Sequence, residues 1–287
     1  MAYEAAGPHP VPAGAPAMDA DLQALAGEAC TWCGSRARDT FAGEEGKCQW
    51  HRCRQCGFWI SSLLCDPRDY AVEDYDLDYH LHYYGRSLGR KHRTAHHRFR
   101  VLEAMAPHKG SFLDIGPSYG YMLEVGTQRG WTTHGVDLAP VIVELAAQNG
   151  LDIRLGSLTD IPFEPESMDV VHARHVLEHD IQTYRALDEI WRVLKPGGLL
   201  VCEVPDGEST RARLNPAKEV LRWPYLHMVT FTPSVLAGFM RRRGLRWVPE
   251  VGLVAGPPDF LAWRAWHRFR ELTRIATYFV TFWRKPA

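Results

Sequence analysis

The sequence predicts an α/β fold, a doubly wound parallel sheet preceded by a small four-cysteine module. Three features point there. From Ser111 onward, short apolar runs of strand length alternate with segments of helical period. The first run ends in a turn punctuated by glycine, Gly116-Pro117-Ser118-Tyr119-Gly120, and the next run ends in an acid, Asp137, about 20 residues on. Near the start stand two Cys-x-x-Cys pairs, Cys30/Cys33 and Cys53/Cys56, with nineteen residues between them.

In chain order, Met1 to about Ala20 is rich in Pro, Ala and Gly without apolar period, which predicts a disordered tail over residues 1–24. Residues 25–68 read as a zinc ribbon. Each Cys-x-x-Cys forms a knuckle whose thiolates converge on one ion, so Cys30, Cys33, Cys53 and Cys56 are expected to hold a structural Zn2+. Buried free thiols or a redox pair are the alternatives. A four-thiolate site keeps no open position, so such a metal holds the fold and does no chemistry. Cys48, Cys65 and Cys202 are expected to be unligated. Trp32, Trp50, Phe58 and Trp59 are expected to present an aromatic surface to the neighbouring domain or the substrate.

Residues 69–110 form the next unit. Asp69 to Gly85 carries Tyr70, Tyr75, Tyr79, Tyr83 and Tyr84, either as an aromatic linker or as a lid. Arg86 to Met105 has Leu88, Ala95, Phe99 and Leu102 at helical spacing. Its basic positions, among them Arg90, Lys91 and Arg98, read as a solvated face, with attraction of an anionic acceptor as the alternative.

The main domain is expected over residues 111–287. Strands are predicted at Ser111–Ile115, Thr133–Asp137, near Asp152–Leu155, at Met168–Ala173 and at Leu199–Val204, the last preceded by a turn at Lys195–Gly198. Helices are predicted at Tyr121–Arg129, Pro140–Asn149 and Thr183–Val193. Strict alternation implies parallel strands with right-handed crossovers and ligands at the strand C-termini. Insertions are expected at 205–232 and 256–274. After helix Pro233–Arg243, capped by Gly244, come a strand at Leu245–Val254 and a basic helix at Phe260–Arg274. Residues 241–287 hold ten Lys or Arg against three acids, so that the helix could touch a membrane surface, form a homodimer or cover an acceptor.

The ordered runs LDIGPSYGYML, GVDLAP, GSLTDIPF, MDVVHARHVLEH and EIWRVLKPGGLLVCEVPD resemble the motif set of class I S-adenosylmethionine (SAM) dependent methyltransferases. The resemblance spans Phe99 to Arg243, about half the chain. It implies a Rossmann-like seven-stranded sheet, closed by an antiparallel last strand at Thr277–Trp283, and a SAM site drawn from Asp114, Gly116, Ser118, Gly120, Asp137, Leu138, Ser157, Leu158 and Arg174. Asp114 and the glycine turn would face the methionine end, Asp137 the ribose, and Ser157 and Leu158 the adenine. Ser118 departs from the family, standing where its middle glycine falls.

The same resemblance places the turn after the fourth strand, His175-Val176-Leu177-Glu178-His179, opposite the methyl group. His179 could then take a proton from an acceptor hydroxyl, a task suited to an imidazole of ordinary pKa near 6.5; a packing or capping role for the turn is the alternative. His227 lies in a segment similar to the HxxxFTPxxL run of sugar and secondary-metabolite methyltransferases. The implied catalytic set is His179, His227, Glu178, His175 and Tyr84, the last closing over SAM or meeting the acceptor. His175, Glu178, His179 and His227 also resemble the metal site of small-RNA 2'-O-methyltransferases and ubiquinone-pathway O-methyltransferases, in which glutamate commonly stands at the place of His175.

Composition narrows the partners. The 287 residues are 46% hydrophobic and 23% charged, with a net charge of −1, which argues against a generic polyanion binder. The resemblance implies a small-molecule acceptor, a sugar, nucleotide sugar or secondary metabolite methylated at oxygen or carbon. No apolar run reaches the roughly 18 residues that span a bilayer, and no secretory leader is recognised, so a cytoplasmic protein is expected; the resemblance implies natural product biosynthesis. The competing functions are methylation of RNA or another nucleic acid and a SAM-binding regulatory subunit without turnover.

Overall fold

Two sheets organise the computed structural model, which describes residues 29–30, 32–42, 48–63, 88–106, 108–215, 227–248, 262, 265 and 278–287. The smaller starts from the cysteine module. Strands β1 (Arg38–Ala42), β2 (Cys48–Cys53) and β3 (Trp59–Leu63) form an antiparallel meander. Its fourth strand, β9 (Val229–Thr230), comes from far down the chain and pairs with β3.

The larger sheet follows helix α1 (Leu88–Met105). Strand β4 (Ser111–Ile115), helix α2 (Tyr121–Gln128), strand β5 (Thr132–Asp137), helix α3 (Pro140–Gln148) and strand β6 (Ile153–Leu155) build one half. Strand β7 (Met168–Arg174), helix α4 (Thr183–Val193) and strand β8 (Leu194–Pro205) begin the other. Helices α5 (Thr210–Leu214) and α6 (Pro233–Arg242), then strands β10 (Arg246–Trp247) and β11 (Tyr278–Arg284), complete it. The order is β10-β11-β8-β7-β4-β5-β6. Strands β4 to β8 pair in parallel, whereas β11 lies antiparallel between β8 and β10. This is the seven-stranded Rossmann-like architecture expected from the sequence.

Successive residues of a strand point to opposite faces, and β4 uses both. Phe112 packs with Phe99 of α1, Met122 and Leu123 of α2, and Trp131, while Leu113 joins Val171, Leu187, Leu200 and Phe239 on the other side. Covered on both faces, the strand can be apolar throughout. Helix α4 buries Ala186, Leu187, Ile190 and Val193, the stripe that a helix laid on a sheet requires. Helix α6 starts on a good cap, Thr232 Oγ1 accepting from the Val235 amide at 3.3 Å with Pro233 in the first turn. The C-terminal strand is locked from its far end: the buried Lys285 donates to the carbonyls of Leu194 (2.8 Å) and Trp191 (3.1 Å).

Of the strand expected at Leu245–Val254, Arg246–Trp247 pairs at the sheet's outer edge and the Val248 amide donates to the Phe282 carbonyl at 2.9 Å; residues 249–254 lie outside the described residues. Two local expectations change. The turn expected at Lys195–Gly198 lies inside β8, whose pairing with β7 runs back to Leu194 across an irregularity that shifts the register between Met168 and Val170. Arg98 does not lie on a solvated face but points under the sheet, as described below. The tail over residues 1–24, the tyrosine segment with Tyr84, Cys65, and the helix expected at Phe260–Arg274 apart from Ala262 and Ala265 lie outside the described residues. Among the described residues, no helix is long and apolar enough to cross a membrane.

Phe99, fully buried, lies tilted against Phe112 and Trp131, with ring centroids 5.0 Å and 5.9 Å away. Replacing it by Ala is expected to cost about 3–5 kcal/mol in urea unfolding. A loss below about 1 kcal/mol would mean that α1 is not held to the sheet by this cluster.

Candidate functional site

The carboxyl ends of β4, β5 and β7 meet at one edge of the sheet. The turn after β4 is left-handed at Gly116 (φ 65°), Ser118 (φ 52°) and Gly120 (φ 70°). A methyl group on Gly116 would sit 2.6 Å from Val176 Cγ1, so this turn packs directly on the turn that follows β7. Ser118 adopts a conformation that costs a residue with a Cβ about 1–2 kcal/mol, and its buried hydroxyl has no partner among the described residues. Asp137, at the tip of β5, accepts from the Ala139 amide at 3.0 Å, and burial pushes its carboxyl up to about 6. Leu138 beside it is 55% exposed. Ser157 bridges to Asp160 and caps Thr159 (3.2 Å), and Leu158 packs partly on the core.

Beneath these ends runs a chain of ionisable groups. Asp114 is buried and accepts from His172 Nδ1 at 2.7 Å, so this oxygen is already engaged by the protein. The other nitrogen of His172 lies 3.3 Å from Arg98. Arg98 reaches Glu203 Oε2, while Arg174 Nε (2.9 Å) and His175 Nε2 (3.1 Å) both meet Glu203 Oε1. His175 Nδ1 lies 3.1 Å from Glu178 Oε1. Burial alone would raise the Glu203 carboxyl, but Arg98, His175 and Arg174 outweigh it and hold it well below the usual carboxylate range. Burial alone would lower His175, and the two carboxylates raise it. An imidazole set between two carboxylates donates from both nitrogens, so His175 is an imidazolium strut.

The chain ends at a histidine pair. The rings of His179 and His227 are edge to face with centroids 4.9 Å apart. Donor atoms of Glu178, His179 and His227 all fall within 4.8 Å of one another; this set leaves His175 out. Glu178 is fully buried, and its Oε2 has no hydrogen-bond partner among the described residues. Desolvation, then the nearby His179, lowers the His227 imidazole to about 4, so it is neutral at pH 7.

The four cysteines form a second cluster, all sulfurs within 4.8 Å. Cys30 and Cys56 are 3.6 Å apart and Cys33 and Cys53 3.5 Å. Tetrahedral zinc at about 2.3 Å from each thiolate demands roughly 3.8 Å between sulfurs, and a disulfide about 2.05 Å; the donor set fits the metal. Cys202 stands apart, buried in β8. Of the nearby aromatics, Trp50, Phe58 and Trp59 are buried, and Trp32 and Phe58 lie against Phe239 of the neighbouring unit, at 4.3 Å and 5.6 Å.

Sequence reasoning missed Arg98, His172 and Glu203. The signal was present. Arg98 falls three residues after Ala95 and four before Leu102, on the apolar stripe of α1, and His172 and Glu203 are lone ionisable groups inside apolar strands.

Residues 113–202 match the family described as "Methyltransferase domain". The ubiquinone biosynthesis O-methyltransferase of Cereibacter sphaeroides is 31% identical over 171 residues, 55% of this chain and 69% of that protein. The malonyl-[acyl-carrier protein] O-methyltransferase of Serratia marcescens is 30% identical over 105 residues, 36% of this chain and 41% of that protein. Among solved structures, a SAM dependent methyltransferase from Archaeoglobus fulgidus aligns with a TM-score of 0.51 at 16% identity, over 71% of this chain and 99% of that one, a likeness of fold.

Because Ser118 holds a left-handed backbone without a compensating hydrogen bond, Ser118→Gly is expected to stabilise the protein by about 1 kcal/mol and Ser118→Val to destabilise it by more. Thermal unfolding of the two variants checks the sign; a less stable glycine variant would contradict it.

Proposed function

The chain belongs to the class I SAM-dependent methyltransferases, and on that premise we propose that it methylates a hydroxyl oxygen of a small molecule, with His179 as the base. The observation that carries this reading is the His179–His227 pair backed by the buried Glu178 at the end of β7, beside the strand ends that carry Asp137 and the Gly116–Gly120 turn. A neutral His227 with its pKa near about 4 is a poor base at pH 7, which leaves the proton to His179.

SAM, when bound, supplies an electrophilic methyl group. Asp137 would accept from the ribose hydroxyls, with Ser157, Leu158 and the exposed Leu138 toward the adenine. The Gly116–Gly120 backbone, with Asp114 and Arg174 below it, would line the methionine end. The unpartnered Ser118 hydroxyl and the desolvated Asp137 carboxyl support this fit, since both are groups that a polar ligand would satisfy. His179 would take the acceptor proton, and the negative Glu178 would stabilise the imidazolium that results. Orientation would contribute about 7–11 kcal/mol of the acceleration, and proton removal a factor of about 100 to 10,000. In the same reading Cys30, Cys33, Cys53 and Cys56 hold a structural zinc ion.

A second reading shares these side chains. A fully buried Glu178 carboxylate with one orphaned oxygen, and a donor atom within 4.8 Å of two imidazoles, suits a divalent cation held by Glu178, His179 and His227, whose chemistry would be to lower the pKa of a bound hydroxyl.

Calorimetry with SAM and its demethylated product tests the cofactor site. Affinity should be greatest well above about pH 6 and weaken as pH falls through the Asp137 value of about 6, because protonation removes the negative charge that strengthens hydrogen bonds from the two hydroxyls. Asp137→Ala should bind weakly and lose that pH dependence; equal affinity at pH 5 and pH 8 in the wild type would refute the assignment. For the chemistry, extracts of the source organism treated with SAM are screened by mass spectrometry for a product one methylene heavier. His179→Gln should slow its formation by a factor of about 100 or more with SAM affinity kept. Dependence of turnover on added Mg2+ in wild-type enzyme that keeps its four-cysteine zinc would favour the second reading.

A further inference from the structure

We propose that the four-cysteine cluster positions the active site: the hairpin it ties holds His227 against His179 through the β3–β9 pairing. This rests on the reading of His179 and His227 given above. The path is short. Cys53 and Cys56 close a knuckle in which the Gly57 amide donates to the Cys53 carbonyl and the Cys53 amide to the Phe58 carbonyl, both at 2.9 Å. Trp59 follows at once as the first residue of β3. Trp59 and Ile60 pair with Thr230 and Val229, and the Ser61 amide donates to the carbonyl of Met228, the residue after His227, at 2.8 Å. The Ser61 hydroxyl reaches the same carbonyl at 3.2 Å.

The side chains of the module reinforce this seam. Phe58 lies 5.7 Å from Phe231 and 5.6 Å from Phe239, centroid to centroid. Trp32, between the first two cysteines, is sandwiched from the other side by Arg242, whose guanidinium carbon lies 3.8 Å from the ring centroid and whose Nη1 donates to the Trp32 carbonyl at 2.9 Å. Gly238 makes room: a methyl group there would come within 2.3 Å of the indole. The far end of β9 is fixed separately, the Gly207 amide donating to the Phe231 carbonyl at 2.9 Å. The module therefore controls the near end, where His227 sits. A β-strand of two residues has too few bonds of its own to stay paired once its neighbour loosens, and four thiols brought together by no disulfide depend on a metal to keep their turns.

The test compares zinc-loaded wild-type protein with Cys33→Ser, which removes a ligand, and Ser61→Pro, which keeps all four thiols and deletes both donors, amide and hydroxyl, aimed at the Met228 carbonyl. Zinc content, SAM affinity, amide hydrogen exchange and diethylpyrocarbonate labelling of His227 are measured for each. Zinc should be lost in Cys33→Ser alone. Exchange over residues 227–232 and labelling of His227 should rise about tenfold or more in both variants, with exchange over residues 111–137 and SAM affinity near wild type. Unchanged exchange and labelling in either variant overturns the proposal, as does wild-type protein that carries no zinc after growth in zinc. Exchange that rises equally over 111–137 also overturns it, since the cluster would then hold the whole fold. Full turnover in His179→Gln would instead remove the proposed chemistry and leave the exchange result standing.

Discussion

Glu203 is a carboxylate with no exposure to solvent in the middle of an apolar strand. A charge there is tolerable only if surrounding cations replace the lost water. Three do so, Arg98 from α1 and Arg174 and His175 from the end of β7. That demand fixes much else. It ties α1 to the sheet through Arg98, holds His175, at φ 51°, against Glu203, and through His175 engages one oxygen of Glu178, leaving the other without a hydrogen-bond partner among the described residues. The Arg98–His172–Asp114 branch carries the same constraint to the strand below the glycine turn. One buried charge thus ties both sides of the site to a single framework.

The parts of the fold legible in the sequence were those with a local cause. Strand β4 is apolar because both faces are covered, and helix α4 repeats its apolar residues at the spacing of one face. Gly116 and Gly120 mark a turn that needs positive φ. What escaped depends on contacts between distant residues. Arg98 stands among several cations, and composition alone cannot tell the one that meets a buried acid from those facing water. The two-residue β9 has no pattern of its own and is a strand only because β3 lies beside it. Asp137 and the histidine turn were legible as positions, whereas the bridge of His175 between two carboxylates follows from packing.

The cysteine module also differs from a freely hung appendage. Its aromatic residues are spent inward, Trp50 and Trp59 with Ala212 of α5, Phe58 and Trp32 on α6. Its sheet is completed by a strand of the main domain. Small modules have little core of their own, so sharing a seam is a physical economy: the same apolar contacts stabilise the hairpin and fix the loop that bears His227.

Strand β11 pairs with β8 along its whole length, from Tyr278 opposite Pro205 to Arg284 opposite Leu199, and fills the place between β8 and β10. During synthesis those partners leave the ribosome long before it does. A nascent chain that has already released the glycine turn, Asp137 and both histidines still shows an open edge on β8, and edges of that kind attract other strands. Closure of the sheet on this edge of β8 therefore waits for residues 278–284 to be made.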